Sequence, residues 1–280
     1  MNILIVGLGV IGGSYAMALK EAGYNEVYGI DSNLDTLRKA EDLNIIKKGF
    51  LAGECNKEVI SKSDLIILSI YPRLIKDFIE ENKEYFQEGT IVTDATGIKG
   101  PFVNEICSSL PEGIDFIFGH PMAGREKRGI DYASKDVFKG ANYLVTITER
   151  NKKENLRILK DIIYKLGFKN IKEITPEYHD KMISFTSQLP HAIAVALINS
   201  DEEGRDTGRF IGDSYRDLTR IANINEELWS ELFFGNKDNL LEVIENFINE
   251  MNKIKSALIE ENEEELKSIF IKSSKRREKL

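Results

Sequence analysis

The chain has 280 residues, of which 42% are hydrophobic and 30% charged, with a formal net charge of −8. This is the composition of a soluble globular protein with one large domain or two ordinary ones. The acidic balance argues against a nucleic-acid partner or an anionic membrane, since both reward a basic face, and no apolar run approaches the roughly 20 residues of a membrane span.

Read in order, the first part alternates short apolar runs with helical patterns. Strands are expected at 3–7, 26–30, 65–70, 90–94, 116–119, 143–148 and 170–174, several of them near-continuous Ile/Val/Leu as in strands covered on both faces. Helices are expected near 11–22, 33–43, 74–86, 100–109 and 152–167. That alternation predicts a doubly wound α/β domain of the Rossmann type with a parallel sheet. A start directly on Ile3-Leu4-Ile5-Val6, with no basic segment and long apolar stretch before it, is read as cytoplasmic. Cys55 and Cys107 belong to no Cys-x-x-Cys or Cys/His cluster. They are read as free thiols of a reducing compartment, without disulfide or metal, and Cys107 as core packing.

The pattern changes near residue 175. Thr175-Pro176 reads as a helix start, with Thr as N-cap and Pro at the first helical position. Amphipathic segments follow at about 176–200, 213–223, 225–235, 237–261 and 263–277, with a polar connection at 201–209. The division is therefore drawn as 1–174 for a nucleotide-binding domain and 175–280 for an all-helical domain. The apolar stripes of that half suggest a homodimer, although they can also be satisfied within one chain. The basic end, Lys275-Arg276-Arg277, suits a helix C-terminus.

Gly7-Leu8-Gly9-Val10-Ile11-Gly12 follows the first strand and opens the first helix, and Asp31 ends the second strand about 20 residues on. Gly7 permits the tight turn, Gly9 lets backbone approach a pyrophosphate, and Gly12 lets helix pack on sheet. The helix N-terminus, with Val10 and Ile11, offers unpaired N–H groups to phosphate. Asp31 would bond the ribose hydroxyls of NAD and repel the extra phosphate of NADP, and Ser32-Asn33-Leu34 supplies no arginine for that phosphate. Ser69, in the third strand, is counted with the cofactor-binding residues.

Phe116-Ile117-Phe118-Gly119-His120-Pro121-Met122-Ala123-Gly124 is an apolar run that reaches one of only three histidines, and Pro121 is expected to stop the strand. Ligands bind outside the carboxyl ends of such strands. A neutral imidazole placed there can take a proton near pH 7. Read alone, His120 is equally a turn histidine bonded to backbone.

Four stretches together resemble the prephenate dehydrogenase family over essentially the whole chain. They are the glycine turn, His120-Pro121-Met122-Ala123-Gly124, Ser187-Gln188-Leu189-Pro190-His191, and Asp217-Leu218-Thr219-Arg220-Ile221-Ala222 with Trp229. The resemblance implies a Rossmann domain joined to a helical dimerisation domain. It implies NAD as cofactor and oxidative decarboxylation of prephenate, or of its amino analogue arogenate, in tyrosine biosynthesis. It makes His120 the group that polarises the C4 hydroxyl, gives Arg220 the ring carboxylate, and places His191 near the substrate side chain, with a core histidine as the alternative. Arg216 and Asp217 share the Arg220 face or form a surface ion pair. Trp229 walls the pocket or packs in the core. His179-Asp180 is read as capping chemistry at a helix start.

The chain also departs from the pattern. Gly97 stands where many members have a serine that bonds the substrate hydroxyl, so Thr96 or water is expected to take over that bond. Gln188 stands where a histidine is common. Arg125 and Arg128 either add positive potential at the mouth or are solvated loop charges. There is room for neither a chorismate mutase nor a regulatory domain, so inhibition by tyrosine would act at the active site. Two rival readings remain: a β-hydroxyacid dehydrogenase or imine reductase, which lack the His-Pro-Met-Ala-Gly sequence, and a catalytically silent NAD-binding sensor, which Gly97 favours.

Overall fold

The computed structural model describes residues 1–53, 56–124 and 127–279. Cys55 and Arg125 lie outside the described residues. Strands β1 (Ile3–Val6), β2 (Val27–Asp31), β3 (Lys48–Leu51), β4 (Leu65–Leu68), β5 (Ile91–Asp94), β6 (Asp115–Pro121), β7 (Asn142–Thr146) and β8 (Asn170–Ile174) form one sheet in the order β3-β2-β1-β4-β5-β6-β7-β8. Successive side chains leave a strand on opposite faces. Ile3 and Ile5 therefore join one core with α1 (Val10–Glu21) and α2 (Leu34–Asp42), whereas Leu4 and Val6 join a second core across the sheet. The second is covered by α3 (Lys57–Ser61), α4 (Pro72–Asn82) and α5 (Gly100–Ser109). α6 (Lys153–Lys165) returns to the first face through Leu159, Ile162 and Ile163. Cys107 is half-buried against the second core.

Three features differ from the sequence expectation. β3 and α3 are additional elements. β3, Lys-Gly-Phe-Leu, is a four-residue edge strand with no fully buried side chain, so it carries no apolar run to read. The sheet is not wholly parallel: β6 and β7 run antiparallel, and β8 then runs parallel to β7. The reason is the connection. The described part of the link from β6 to β7 holds only short 3-10 turns at Ile130–Tyr132 and Lys135–Phe138, whereas a parallel return needs a crossover, usually a helix. Finally, β6 does not stop before Pro121. Past its parallel pairing with β5 it continues beside β7, with His120 opposite Leu144 and Pro121 opposite Tyr143. His120 thus rides on a strand rather than on a free turn.

After β8 the chain is helical. The Thr175 hydroxyl accepts from Tyr178 N at 3.2 Å and Pro176 opens α7 (Pro176–Ile183). The expected 176–200 helix is interrupted by a π turn at Ser184–Gln188 before α8 (Leu189–Asn199). Pro190 lacks the N–H a regular helix would need one turn back, and the wider turn falls there. Then follow α9 (Asp213–Thr219), a 3-10 turn at Arg220–Ala222, α10 (Glu226–Gly235), α11 (Lys237–Ile259) and α12 (Glu263–Arg277). Among the described residues no helix is long and apolar enough to cross a membrane.

Candidate active site

The carboxyl ends of β1, β4, β5 and β6 stand side by side in the sheet, the edge at which ligands of such sheets bind. At β1, Gly7 has φ +85°, and a Cβ there would lie 2.6 Å from the Ser69 carbonyl oxygen. A Cβ at Gly12 would overlap the Gly7 carbonyl, so both positions exclude a side chain. Over Gly9 the space is open, with nothing within 4 Å of a built Cβ. The first bond of α1 among these residues is Gly13 N to Gly9 O, 2.9 Å, so the N–H groups of Val10, Ile11 and Gly12 precede it and no side chain caps them. Open space in front of an uncapped helix N-terminus is the geometry a pyrophosphate needs. Ser69 Oγ, next to Gly7, is buried with no partner among the described residues, a polar atom left for a ligand. The Asp31 carboxylate accepts from Leu8 N at 2.7 Å and from Asn33 N at 2.9 Å. It therefore braces the glycine turn itself, while its remaining lone pairs can still meet a ribose. Asn33 is spent capping α2 through Asp35 N and Thr36 N.

At β5 and β6 the loop Asp94–Gly100 and His120 share a buried polar network. Lys99 is fully buried and its Nζ lies 2.6 Å from Asp94 Oδ2 and 2.8 Å from Thr96 Oγ1. Burial pulls the Lys99 ammonium down and Asp94 pulls it back up. Asp94 Oδ1 also accepts from Gly119 N, 2.9 Å, which clamps the residue before His120. Thr96 Oγ1 is committed to Asp94 and Lys99. Thr96 therefore faces inward, and the expectation that it reaches substrate is corrected. At Gly97 a Cβ would sit 3.8 Å from His120 Cε1 and 3.3 Å from Leu232, so this position does border the imidazole. Burial first, then the nearby His179 and Lys99, hold the His120 imidazole well below its ordinary value of 6.5, and thus neutral at pH 7.

The helical half closes over this edge. Arg73, on the first turn of α4, pairs with Glu231 and Glu227 of α10, and Tyr71 Oη accepts from Asn225 Nδ2 at 3.2 Å. Arg128 pairs with Glu226 across the two halves, and both side chains remain solvent-exposed. Trp229 on α10 stacks on His191, ring centroids 3.7 Å apart and planes at 30°, and meets Phe233 edge-on. His191 Nδ1 donates to Ser187 O at 2.9 Å, one turn back on the helix. Arg220 is exposed, at the head of the 3-10 turn after α9. Two other expectations are revised. Gln188 is 1% exposed, donating to Leu232 O and accepting from Asn236, so it is a strut between α10 and the π turn. Arg216 pairs with Asp213 at 3.0 Å rather than joining Asp217 around Arg220, because the i,i+3 partner is already in reach.

The sequence reading missed one group. His179 is no helix cap, since Thr175 does that work for α7. His179 Nε2 lies 2.9 Å from His120 Nδ1, and His179 Nδ1 lies 2.7 Å from Asp180 Oδ1. Asp180 in turn accepts from Lys99 N and Gly100 N, 2.8 and 2.6 Å, so it caps α5 of the other half. The sequence signal was an adjacent His-Asp pair in a chain with three histidines. Its partner is 59 residues away, and no local pattern points to it.

Known proteins bear on this arrangement. The model for "Prephenate dehydrogenase, nucleotide-binding domain" matches residues 15–172, and that for "Prephenate dehydrogenase, dimerization domain" matches residues 175–272. The prephenate dehydrogenase of Bacillus subtilis (strain 168) is 29% identical over 96% of this chain and 73% of its own length. Crystal structures of prephenate dehydrogenase from Aquifex aeolicus superpose with a TM-score of 0.90 at 30% identity, covering 100% of this chain and 99% of that one. In complex with hydroxyphenyl propionate and NAD+ the values are 0.88, 31%, 100% and 98%. An arogenate dehydrogenase from Synechocystis aligns over 100% of this chain and 99% of its own at 26% identity and a TM-score of 0.81. With its nucleotide-binding turn, its histidine at the end of the sixth strand and both domains matched in order, this chain belongs to the prephenate dehydrogenase family.

Proposed function

We propose that the chain catalyses the NAD-dependent oxidative decarboxylation of prephenate to 4-hydroxyphenylpyruvate, with the nucleotide in residues 1–174 and the substrate held between them and residues 175–280. The observation that carries this reading is the row of strand ends. Gly7 lies just beyond β1, Ser69 beyond β4, Gly97 beyond β5 and His120 on β6, and these strands are consecutive neighbours in the sheet. With strands about 4.8 Å apart, three steps put His120 roughly 14 Å from the phosphate turn, a span an extended dinucleotide bridges. The chain's open Gly9 surface, uncapped α1 and orphaned Ser69 hydroxyl fit that cofactor, and the Aquifex aeolicus relative is a complex with NAD+.

Bound NAD would supply the acceptor for the hydride that leaves C4. The protein's own task is the hydroxyl on that carbon. As C4 becomes electron-poor, neutral His120 accepts a hydrogen bond from the hydroxyl and draws its proton. Loss of the C1 carboxylate as carbon dioxide feeds electrons into the ring. The balance closes without net release of a proton: prephenate dianion and NAD+ become 4-hydroxyphenylpyruvate monoanion, carbon dioxide and NADH. His120 therefore lends its lone pair and the phenol keeps the proton. Arg220 supplies a planar, permanently charged group for a carboxylate, and the His191–Trp229 stack forms an aromatic wall.

Asp31 favours NAD, and a kinetic preference for NADP above tenfold would overturn that part. The exposed apolar residues Leu241, Ile248, Leu258, Ile259, Phe270 and Ile271 on α11 and α12 form the face of a homodimer. Tyrosine, a product-shaped amino acid, inhibits at this same crevice, competitively with prephenate, and the enzyme works in the cytoplasm. The test is NAD reduction with prephenate, arogenate and 3-hydroxy acids in turn. Turnover of prephenate is expected, and the ratio of kcat/KM for prephenate and arogenate sets the preference. Absence of any absorbance change would leave a silent NAD-binding protein.

A further inference from the structure

His120 is one end of a closed hydrogen-bond chain whose proton positions are dictated from the other end. Asp180 Oδ1 and Oδ2 each accept a backbone N–H, from Lys99 and Gly100. A carboxylate so occupied offers only acceptor capacity to His179 Nδ1, 2.7 Å away, so Nδ1 must carry the proton. Neutral His179 then has a bare Nε2, and the one group within reach of it, His120 Nδ1 at 2.9 Å, must donate. That leaves Nε2 of His120 unprotonated, and no described residue bonds it. His179 is fully buried and Asp180 is 3% exposed, so water does not compete for these bonds.

We propose that His179 and Asp180 are positioning residues that lock His120 in its Nδ1–H tautomer, presenting Nε2 as the lone pair for the substrate hydroxyl. The role in turnover rests on the prephenate reading above; the tautomer does not. The arrangement has a second consequence. As the hydroxyl proton shifts toward Nε2, positive charge grows on His120, and the chain through His179 leads that charge to the Asp180 carboxylate. The other ionised groups facing this chain are Asp94 and Lys99 from the loop after β5, and they are paired with each other at 2.6 Å. Leu232 of α10 borders the loop with an apolar side chain at Gly97. His179 stays neutral because burial lowers it most, and Lys99 adds to this against the opposing pull of Asp180. Since His120 lies on β6 and His179 on α7, the tautomer is set only when the helical half docks on the sheet.

With three histidines in the chain, the six ring nitrogens of ring-15N-labelled full-length protein can be resolved in a long-range 1H–15N spectrum and assigned by single-histidine variants. The expected result is His120 protonated at Nδ1 and bare at Nε2, without substrate. A wild-type His120 protonated at Nε2 overturns the proposal, whatever any variant does. His179→Leu removes the acceptor. It should produce a mixture of His120 tautomers and lower kcat about 10- to 100-fold, less than the roughly 10²–10⁴ that loss of the base itself would cost, while the KM for NAD stays within about twofold. His179→Gln, whose Oε1 can accept the same bond, should recover most of that loss. Wild-type kcat in His179→Leu, or equal losses in the two variants, would reduce the pair to packing. The expected tautomer in a protein that reduces no NAD with prephenate or arogenate would uphold the lock and sink the reaction instead.

Discussion

The two halves of this molecule hold their site residues by different means. In the nucleotide half each group is carried on or beside a strand whose neighbours are wholly buried: Ile3, Leu4, Ile5 and Val6 are at most 3% exposed, as are Leu65 to Leu68. Their positions follow from backbone register and close packing, which tolerate little adjustment. In the helical half neither α9 nor the turn that carries Arg220 contains a buried residue. The half as a whole is anchored through α10, as in Arg73 to Glu231, and through the buried His179 and Asp180, which meet His120, Lys99 N and Gly100 N. Exposed ion pairs are individually worth about 0–1 kcal/mol. The site thus pairs a rigid floor with a roof that is fixed at His179 and exposed around Arg220, which suits a crevice that must admit two ligands and release three products.

The contrast predicts that damage at His120 costs chemistry, whereas damage at the exposed Arg220 segment costs substrate binding. His120→Asn should lower kcat by about 10²–10⁴ while NAD still binds. The check is steady-state kinetics together with NAD titration, and near-wild-type turnover would take His120 out of the mechanism. Gly12→Val puts a branched side chain into the Gly7 carbonyl. Cofactor affinity should fall at least about tenfold, with a destabilisation of about 1–3 kcal/mol from overpacking, read by NAD titration and thermal melting. Arg220→Ala should raise the KM for prephenate about 10- to 100-fold with kcat changed far less, in line with about 1.5–3 kcal/mol for a hydrogen bond to a charged group. A change in thermal stability alone, with KM intact, would place Arg220 outside the roof.

How much was legible follows the same contrast. The glycine turn, the strand ending in His120 and the helical half are local patterns, written within a few residues of themselves. The reversal of β7 was not legible, since it depends on what the β6–β7 link lacks rather than on what β7 contains. The inward turn of Thr96 and Gln188 was hidden for another reason. Both are polar residues in or beside family motifs, and only the three-dimensional neighbours, Lys99 and Asp94 for one and Leu232 and Asn236 for the other, show that their hydrogen bonds are already spent. His179 is the extreme case, because its meaning lies across a domain interface.

That interface also sets the acid limit. His120 and His179 both have pKa values depressed below the ordinary imidazole value, chiefly by burial. In the unfolded chain each takes up a proton near 6.5, whereas in the fold each resists it. Folded protein therefore binds fewer protons below that pH, and the stabilisation present above 6.5 is lost as pH falls toward the folded-state values. Melting temperature should drop on acidification below about 6.5, and the drop should be smaller in His120→Asn. The acid limb of kcat/KM should lie below that of a free imidazole. A limb at or above 6.5 would mean that His120 is more open to water than its burial implies.

The smallest effect is expected where the chain departs from its family. Gly97 borders both floor and roof, and a Cβ there meets Leu232 at 3.3 Å and His120 Cε1 at 3.8 Å. The Leu232 contact is with the end of a flexible side chain, so Gly97→Ser should cost less than about 1 kcal/mol of stability. Its hydroxyl would stand beside the imidazole, where it can bond the substrate hydroxyl. If the exposed Arg220 segment is what limits the orientation of substrate, the added bond should lower the KM for prephenate about two- to fivefold, equivalent to a net hydrogen bond of roughly 0.5–1 kcal/mol. If the Asp180–His179 chain already orients His120 fully, kcat should hardly move. A large gain in kcat would instead show that the imidazole is under-oriented in the natural chain, and would shift the weight of the mechanism from the buried floor to residue 97.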